Sequence, residues 1–424
     1  MIVKLPYGRG EVACDVRGLA VFELQARFPK PAGEVAEKLA QALANPLGSP
    51  PLACLAAGKD RAVILVPDVT RKAALPLVLP AVLGELARGG VPAQRVTLLL
   101  ACGTHPPAPE PLLAEHLGPL PPGVTVVQHD AREVSQLVEV GKLADGTVVR
   151  LSRVAVEAPL LVSVFPVQHH YFAGFGGGPK MVFPGVAGYE EIQRNHSRVI
   201  ELSCDPPRLA PRCQPGVLSG NPVAEEIAAA AALRPVDFAV GMVLDGSGQL
   251  AWVGAGDGGA VWREAIARVR EWCEIQAGPF SKVIASAGGF PTDHTLIQAH
   301  KALDAASRFL AEGGEMLFLA EMAGGAGSPA MEPFLADPRP EALAAKLRES
   351  YVQYGHTTWR IVDKTRRFRI SLKSQLPTAL ASKLGFFPVE KPQEVLDAWR
   401  QASPRETVGL LLHGPVYPKS QELP

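Results

Sequence analysis

The sequence predicts an α/β protein of two α/β domains, each built on a parallel-type sheet, with an active-site cleft between them. Its 424 residues exceed the usual size of a single hydrophobic core. Short apolar runs rich in β-branched residues alternate with helical segments, as expected of parallel sheets that are buried on both faces. Several of these runs end at polar residues that a core does not require. Chain length and the alternation of apolar and helical segments therefore predict the architecture. The polar residues at the ends of the apolar runs predict a ligand site at the strand ends.

Four apolar runs in the first half of the chain predict the strands of the first sheet. They cover residues 62–67, 95–101, 124–128 and 160–165. A segment rich in Leu, Ala and Val follows the first run and predicts a helix that ends near Arg88. Because proline disrupts a helix interior, we expect Pro76 and Pro80 to restrict the regular part of this helix to its second half.

The pattern changes after about residue 200. A β-hairpin is predicted over 238–244 and 249–254, since an Asp-Gly-Ser-Gly turn separates two apolar runs. A second α/β unit follows, with a helix over 260–275, a strand over 282–286, a helix over 293–310, a strand over 315–320 and a glycine-rich turn at 323–327. We expect residues 1–274 to form the N-terminal domain, with 403–424 as a candidate completion of it, and residues 275–402 to form the C-terminal domain.

Charge, hydropathy and cysteine usage argue against several classes of protein. Lys plus Arg and Asp plus Glu number 42 each, without a basic stripe, so we expect no nucleic-acid partner. No apolar run reaches the ~18 residues of a membrane span, and residues 1–12 lack the pattern of a signal peptide. The six cysteines show no CxxC spacing, and we expect reduced thiols in a cytoplasmic protein.

Polar side chains directly follow three of the predicted strands. Asp68 and Arg71 follow the first strand, His105 follows the second and His170 follows the fourth. Ligands of open α/β sheets bind beyond the carboxyl ends of the strands. One such histidine alone is more often a loop or capping residue, but the coincidence at three strands predicts a functional site.

A glycine-rich segment, HYFAGFGGGPK, covers residues 170–180. It is not a Walker loop, because a proline precedes the lysine and a methionine follows it where that motif needs Ser or Thr. It also lacks a GxGxxG that leads directly into a helix. Successive glycines let backbone N–H groups approach a phosphate closely, so a phosphate-bearing ligand is expected at Gly176, Gly177 and Gly178.

Together these motifs resemble the signature of the lactate racemase family, nickel-pincer-nucleotide racemases and epimerases of 2-hydroxy acids. The matching motifs occur in the same order and are Asp68-Val69-Thr70-Arg71, Gly103-Thr104-His105, the segment 170–180, Asn195-His196, and the pair Gln298 and Lys301. The resemblance covers roughly residues 60–305.

The resemblance implies a cofactor site in the N-terminal domain. Lys180 matches the lysine that carries pyridinium-3-thioamide-5-thiocarboxylic acid mononucleotide through a thioamide link. His196 matches the imidazole that ligates the nickel of this cofactor, and Asp68 and the three glycines are expected to contact it. Cofactor-maturation enzymes are the implied partners, besides a small-molecule substrate.

The resemblance also implies the acid/base and substrate-binding residues. His105 and His170 match the acid/base pair, and Arg71 matches a residue that holds the substrate. Gln298 and Lys301, three apart on a predicted helix, match pocket residues of the C-terminal domain. A hydride route suits inversion at C2, because it avoids a dianionic carbanion. Two bases are needed because the stereoisomers present opposite faces, and histidine has a suitable pKa.

Two positions depart from the family pattern. Ile297 stands where lactate-using members carry a tyrosine before the pocket glutamine. An aromatic residue is expected near 355–360, where His356 aligns best by spacing and Trp359 is the nearest indole. We therefore expect His356 to contact the substrate, and the substrate to be lactate or a related, larger 2-hydroxy acid.

Two other functions remain open from the residues alone. One is an oxidoreductase that binds NAD or another phosphate-bearing cofactor noncovalently. The other is a non-catalytic nucleotide- or metal-binding protein, which would not need paired bases. The other histidines singled out, His116, His129, His300 and His413, are expected to be structural.

Overall fold

The computed structural model describes residues 1–29, 34–412 and 416–419. Its strands are, in chain order, β1 (Ile2–Tyr7), β2 (Gly10–Asp15), β3 (Ala20–Glu23), β4 (Ala62–Pro67), β5 (Val96–Ala101), β6 (Thr125–Gln128), β7 (Leu137–Lys142), β8 (Val148–Ser152), β9 (Leu161–Pro166), β10 (His169–His170), β11 (Gly174–Phe175), β12 (Ile200–Glu201), β13 (Arg208–Leu209), β14 (Phe238–Leu244), β15 (Leu250–Gly256), β16 (Glu274–Ile275), β17 (Phe280–Ser286), β18 (Leu310–Leu319), β19 (Arg369–Lys373), β20 (Phe387–Pro388), β21 (Thr407–Leu411) and β22 (Tyr417–Pro418).

The α-helices are α1 (Val35–Ala44), α2 (Leu52–Ala56), α3 (Leu75–Arg88), α4 (Glu110–Leu117), α5 (Arg153–Val156), α6 (Tyr189–Ser197), α7 (Pro222–Ala231), α8 (Gly258–Cys273), α9 (Leu296–Ser307), α10 (Glu332–Ala336), α11 (Pro340–Glu349), α12 (Gln353–Arg367), α13 (Thr378–Lys383) and α14 (Pro392–Ala402). Within the described ranges, no helix is long and apolar enough to cross a bilayer.

The chain forms two compact units. The N-terminal unit consists of Phe28–Arg198 and Pro211–Glu271. The C-terminal unit consists of Met1–Arg27, Val199–Ala210 and Trp272–Pro424. Each unit has its own six-stranded sheet, and together they confirm the predicted α/β fold class.

The sheet of the N-terminal unit has the order β15-β14-β9-β4-β5-β6. The pairs from β14 to β6 are parallel, and β14 and β15 form the predicted antiparallel hairpin. The four predicted strands are confirmed to within one residue at each end. Every residue of β4 is buried, because helices cover a parallel sheet on both faces.

Helix α3 corrects the expectation that two prolines restrict it to its second half. It is helical from Leu75 to Arg88. Pro76 occupies the first turn, where the missing N–H has no partner in any helix. Pro80 lies inside the helix and costs about 3 kcal/mol or more. Burial of apolar side chains offsets this cost at about 1.5–3 kcal/mol each; the buried apolar residues are Leu75, Val78, Leu79, Val82, Leu83 and Leu86.

The sheet of the C-terminal unit has the order β20-β19-β18-β17-β21-β3, and every pair in it is parallel. Helix α9 connects β17 to β18, and α12 precedes β19. Both helices contribute to one hydrophobic cluster on the sheet. Strands β1 and β2 and helix α14 contribute to a second cluster. The predicted strands and helix of this unit are confirmed, with the helix shortened to Leu296–Ser307.

The predicted domain limits differ from these units at both ends of the chain. The apolar run at 408–412 forms β21, which pairs with β17 and β3. A buried central strand needs a neighbour on each side, and residues of β3 near the amino terminus supply one of them. The expectation that 403–424 complete the N-terminal domain, and that residues 1–27 belong to it, is therefore wrong; residues 413–415 and 420–424 lie outside the described part of the chain. Val199–Ala210, which the prediction placed in the N-terminal domain, also belongs to the C-terminal unit, and the last change of unit along the chain lies between Glu271 and Trp272.

Candidate active site

Three adjacent strands of the N-terminal unit deliver polar side chains to one edge of its sheet. β9, β4 and β5 are neighbours and parallel, so their carboxyl ends lie side by side. Asp68 and Arg71 follow β4, His105 follows β5 and His170 follows β9. The structure therefore brings these four predicted residues to the same edge, where ligands of such sheets bind.

Asp68 is 7% exposed and accepts hydrogen bonds from two sides. The Thr70 N–H donates to Oδ1 at 2.7 Å, and Nδ1 of His105 lies 3.2 Å from Oδ2. Burial alone would raise the pKa of Asp68, but the His105 hydrogen bond and the charge of Arg71 hold it well below its ordinary value. A carboxylate can only accept, so His105 carries its proton on Nδ1. In neutral His105, Nε2 is therefore left with a lone pair that can act as a base.

His170 has the opposite tautomer. The backbone N–H of Ala173 donates to His170 Nδ1 at 3.2 Å, within the tight turn that joins β10 and β11. Because Nδ1 accepts, neutral His170 carries its proton on Nε2. One imidazole of the pair is thus set as a base and the other as a hydrogen-bond donor.

Phe172 lies beside the two imidazoles and the amine of the predicted site. Its ring is 2% exposed, with its centroid 5.6 Å from Lys180 Nζ, 4.6 Å from the His170 ring and 5.2 Å from the His196 ring. Both imidazole rings meet it edge-on. The sequence assigned no role to Phe172, because an apolar residue in a motif carries no chemical signal of its own. The buried ring of Phe172 therefore lies next to the predicted tether Lys180, the predicted metal ligand His196 and the predicted acid/base residue His170.

Lys180 and His196 occupy a desolvated environment in which both favour their neutral forms. Burial, together with the charge of Arg71, lowers the pKa of Lys180 to about 7, although its side chain keeps partial exposure. Burial, followed by the charge of Lys180, lowers the pKa of His196 to about 3. An amine must be neutral to form a covalent link, and an imidazole must be neutral to ligate a metal.

Helix α6 places His196 through a set of polar contacts. Arg150 pairs with Glu191 at 2.9 Å, and Arg194 pairs with Asp145 at 2.7 Å. Asn195, fully buried beside His196, donates to the Val223 carbonyl at 3.2 Å. These contacts anchor α6 to its surroundings in the same unit, so the imidazole is held on a fixed element.

The glycine loop is shaped by close approach to other parts of the N-terminal unit. A Cβ on Gly177 would lie 2.6 Å from the Pro166 carbonyl oxygen, and one on Gly178 would lie 2.4 Å from the Trp262 ring. The Trp262 indole N–H also donates to the Gly176 carbonyl at 3.0 Å. Packing thus accounts for glycine at 177 and 178, and the phosphate contact remains a prediction. Trp262 gave no signal in the sequence, since a tryptophan on a helix is most often a core residue.

The residues present fit the cofactor that the resemblance implies. A nickel-pincer nucleotide brings its own sulfur and carbon ligands and needs one imidazole from the protein, besides an amine for the tether. His196 and Lys180 have the required protonation states and interact electrostatically. Within the described ranges, no three His, Cys, Asp or Glu side chains are grouped to hold a metal ion by themselves.

In the C-terminal unit, Gln298 and Lys301 share the first turns of α9. Lys301 Nζ donates to Gln298 Oε1 at 2.9 Å, and the Thr295 hydroxyl caps the helix at the Gln298 N–H. His356 is fully buried and lies 2.6 Å from the Tyr351 hydroxyl, while Tyr351 is partly exposed. Tyr351 is thus more accessible to a ligand than His356, and a direct contact of His356 with the substrate stays a prediction.

Three of the four histidines that we expected to be structural have contacts of that kind. His116 Nε2 lies 2.9 Å from the Pro67 carbonyl oxygen, and His129 Nε2 lies 2.8 Å from that of Ala187. His300 is 3% exposed, and its Nδ1 lies 2.6 Å from the Ile297 carbonyl oxygen. His413 lies outside the described residues.

The fold is that of an α/β protein in which one edge of the sheet brings together Asp68, His105 and His170, near a lysine with a lowered pKa. Comparison with known proteins identifies its family. The family model described as the lactate racemase N-terminal domain matches residues 7–204. The lactate racemase of Lactiplantibacillus plantarum is 32% identical over 302 residues, covering 71% of this chain and 69% of the relative. That of Thermoanaerobacterium thermosaccharolyticum is 30% identical over 329 residues, covering 77% and 75%. The chain belongs to the lactate racemase family, whose members are isomerases.

Solved structures show the same fold. The lactate racemase apoprotein from Thermoanaerobacterium thermosaccharolyticum has a TM-score of 0.85 at 24% identity, covering 98% of this chain and 99% of that one. A protein from Thermotoga maritima has a TM-score of 0.63 at 15% identity, covering 92% and 99%.

Proposed function

We propose that this protein is a nickel-dependent racemase or epimerase of a 2-hydroxy acid, acting by proton-coupled hydride transfer. The observation that carries the proposal is the pair of His105 and His170 with opposite tautomers, beside a lysine whose pKa is lowered to about 7. When bound at Lys180 and His196, the nickel-pincer nucleotide supplies the hydride acceptor. Everything else in the reaction is the work of this chain's side chains.

Arg71 binds the substrate carboxylate, because a guanidinium can form two parallel hydrogen bonds with it. Gln298 and Lys301 are the substrate-binding residues that we propose in the C-terminal unit. The Lys301–Gln298 hydrogen bond occupies Gln298 Oε1 as an acceptor and leaves the amide N–H groups to donate. The carboxylate thus meets donors only, which fits a group that can only accept.

His105 removes the hydroxyl proton of the stereoisomer that faces it, since its Nε2 already has a lone pair. Asp68 stabilises the resulting imidazolium, because its carboxylate accepts the Nδ1–H. His170 serves the oxygen of the opposite stereoisomer: as an imidazolium it donates its Nε2–H and is left neutral, with its remaining proton on Nδ1. Before His170 can act as a base, its proton must move to Nδ1 and the Ala173 hydrogen bond must break.

We further propose that the protein acts in the cytoplasm and receives its cofactor from maturation enzymes. The six cysteines are all free thiols, which supports a reducing compartment. A covalent link to Lys180 requires a preformed nucleotide with an activated sulfur-containing arm, which a small-molecule pool alone does not supply.

Intact-mass spectrometry tests the tether. Protein produced together with the maturation enzymes should carry an adduct of mononucleotide size, which Lys180→Ala lacks and the exposed control Lys59→Ala keeps. A noncovalent NAD-type cofactor would leave no adduct on either protein. An equal adduct on Lys180→Ala would overturn the assignment of the tether.

A further inference from the structure

Helices α9 and α12 lie on the same face of the C-terminal sheet and run in the same direction. Each precedes a parallel strand, β18 or β19, and each therefore runs opposite to the strands. Both contribute to the same hydrophobic cluster. Their amino-terminal turns consequently lie at the carboxyl edge of this sheet, the edge at which ligands bind.

Asp304 fixes the relative height of these two helices. It is 1% exposed and pairs with Lys364 at 2.7 Å and with Arg360 at 3.2 Å. Gln298 precedes Asp304 by six residues, or about 9 Å along α9. On α12, His356 likewise lies six residues before the midpoint of Arg360 and Lys364, the two residues that pair with Asp304. His356 and Gln298 are therefore level on neighbouring helices, whose axes pack about 8–10 Å apart.

The Tyr351 hydroxyl is held by His356 at this height. The oxygen lies 2.6 Å from His356 Nδ1, and the rings are nearly parallel at 14°. This separation is typical of a hydroxyl donor and short for an imidazole N–H donor. Tyr351 therefore donates to His356, and its oxygen can only accept from any further partner.

We propose that Tyr351, oriented by His356, selects a 2-hydroxy acid that carries a further hydroxyl beyond C2. This inference rests on the proposed function and names its substrate class. A second carboxylate would be repelled, because it can only accept, whereas a hydroxyl can donate to Tyr351. Beside Gln298, the apolar Ile297 offers no competing hydrogen bond. Gln298 and Lys301 hold the carboxylate, and Tyr351 binds the hydroxyl at the far end; His356 is the positioning residue.

The test compares two substrates that differ by one polar atom. Enantiopure 2,3-dihydroxypropanoate and 2-hydroxybutanoate have the same size, but only the first has a hydroxyl on C3. Cofactor-loaded Tyr351→Phe should lower kcat/KM for 2,3-dihydroxypropanoate about five- to tenfold, mainly through KM, as expected for one lost hydrogen bond. The value for 2-hydroxybutanoate should change less than about twofold. Tyr354→Phe, a tyrosine on the same helix, is the matched control and should alter neither value.

His356→Phe gives a second readout, because it frees the Tyr351 proton while leaving the hydroxyl in place. It should reduce the preference for 2,3-dihydroxypropanoate without abolishing turnover of 2-hydroxybutanoate. Loss of folded protein alone would lower both kcat/KM values equally and leave their ratio unchanged. If the ratio of the two kcat/KM values is the same in wild type, Tyr351→Phe and His356→Phe, the role of Tyr351 is wrong while the proposed function stands. If loaded wild type inverts no 2-hydroxy acid at all, the proposed function fails and this inference with it.

Discussion

Asp68 holds the proton of its neighbour His105 on Nδ1. Replacing Asp68 distinguishes this role from the predicted role of Asp68 in binding the cofactor. Asp68→Asn keeps the shape but removes the charge that stabilises imidazolium. We expect kcat to fall about a hundredfold, within the range that a positioned acid/base contributes, because the tautomer of His105 is no longer fixed. The Lys180 adduct should be retained, and the exposed Asp60→Asn should have no effect. Loss of the adduct in Asp68→Asn would instead indicate that Asp68 mainly binds the cofactor.

Lys180 should show its lowered pKa as unusual reactivity in the cofactor-free protein. Its amine, with a pKa of about 7 instead of 10.5, is mostly neutral by pH 8. Acylation of Lys180 by a small activated ester should therefore stop rising above about pH 8, while acylation of the exposed Lys59 should keep rising towards pH 10. Peptide mass mapping measures both rates in one sample. Parallel pH profiles for the two lysines would contradict the desolvated environment.

The sign of the same shift predicts its effect on stability. Between pH 7 and 10.5 the unfolded chain binds the Lys180 proton and the folded chain does not. Lys180 therefore contributes a term that makes folding more favourable as pH rises through this window, and Lys180→Met should remove that term.

Single residues of the site were predictable where their chemistry was explicit. Asp68, His105 and His170 follow apolar runs closely, so their place at a sheet edge followed from the rule that ligands bind beyond the carboxyl ends of parallel strands. Phe172 and Trp262 were not predictable, because apolar residues that shape a site have the same pattern as core residues. The burial of His356 was also missed, because it depends on how α12 packs and not on spacing.

Packing of the glycine loop against α8 is the element-scale feature that shapes the Lys180 segment. Gly178 has φ of 53°, and a Cβ there would meet the Trp262 ring at 2.4 Å. Gly178→Ala should therefore destabilise the protein by about 1–3 kcal/mol beyond the cost of the left-handed backbone alone, because a rigid ring must move. Gly146→Ala is the matched control, since it has φ of 82° and nothing within 4 Å.

Thermal unfolding compares these two variants, and the Lys180 adduct gives an independent readout. Gly178→Ala should also lower the fraction of protein with adduct, whereas Gly146→Ala should not. Equal unfolding temperatures for the two variants would show that the loop is not held by Trp262. The double variant Gly178→Ala with Trp262→Ala should recover part of the lost adduct.

Elements were predictable where periodicity was strong. β4, β5 and β9 were located from apolar runs because they are buried on both faces. β6 was located from its run of β-branched residues, although it lies at the edge of the sheet and its residues are exposed or half-buried. The error in α3 arose because local proline rules ignore the apolar burial that offsets them, and that burial exists only after the helix packs on the sheet.

At the scale of the whole chain, strand pairing determines which segments belong to which unit, and the sequence did not predict this assignment. The run at 408–412 reads as a buried strand in either sheet, and only the pairing of β21 with β17 and β3 assigns it. The amino-terminal strand β3 is short and partly exposed, so its pattern gave no hint that it completes a distant sheet. Membership of units therefore follows from long-range pairing, which composition and periodicity do not encode.

The fate of the C2 hydrogen distinguishes hydride transfer from deprotonation of the substrate. A hydride stored on a carbon of the cofactor exchanges slowly with water, whereas a proton held on His105 or His170 exchanges readily. The measurement is mass spectrometry of the inverted product, at low conversion, from a 2-hydroxy acid deuterated at C2 and turned over by loaded protein in ordinary water. If hydride transfer operates, most of the inverted product should retain deuterium, with a primary isotope effect if hydride transfer limits the rate. Inverted product that has largely lost its deuterium would contradict hydride transfer.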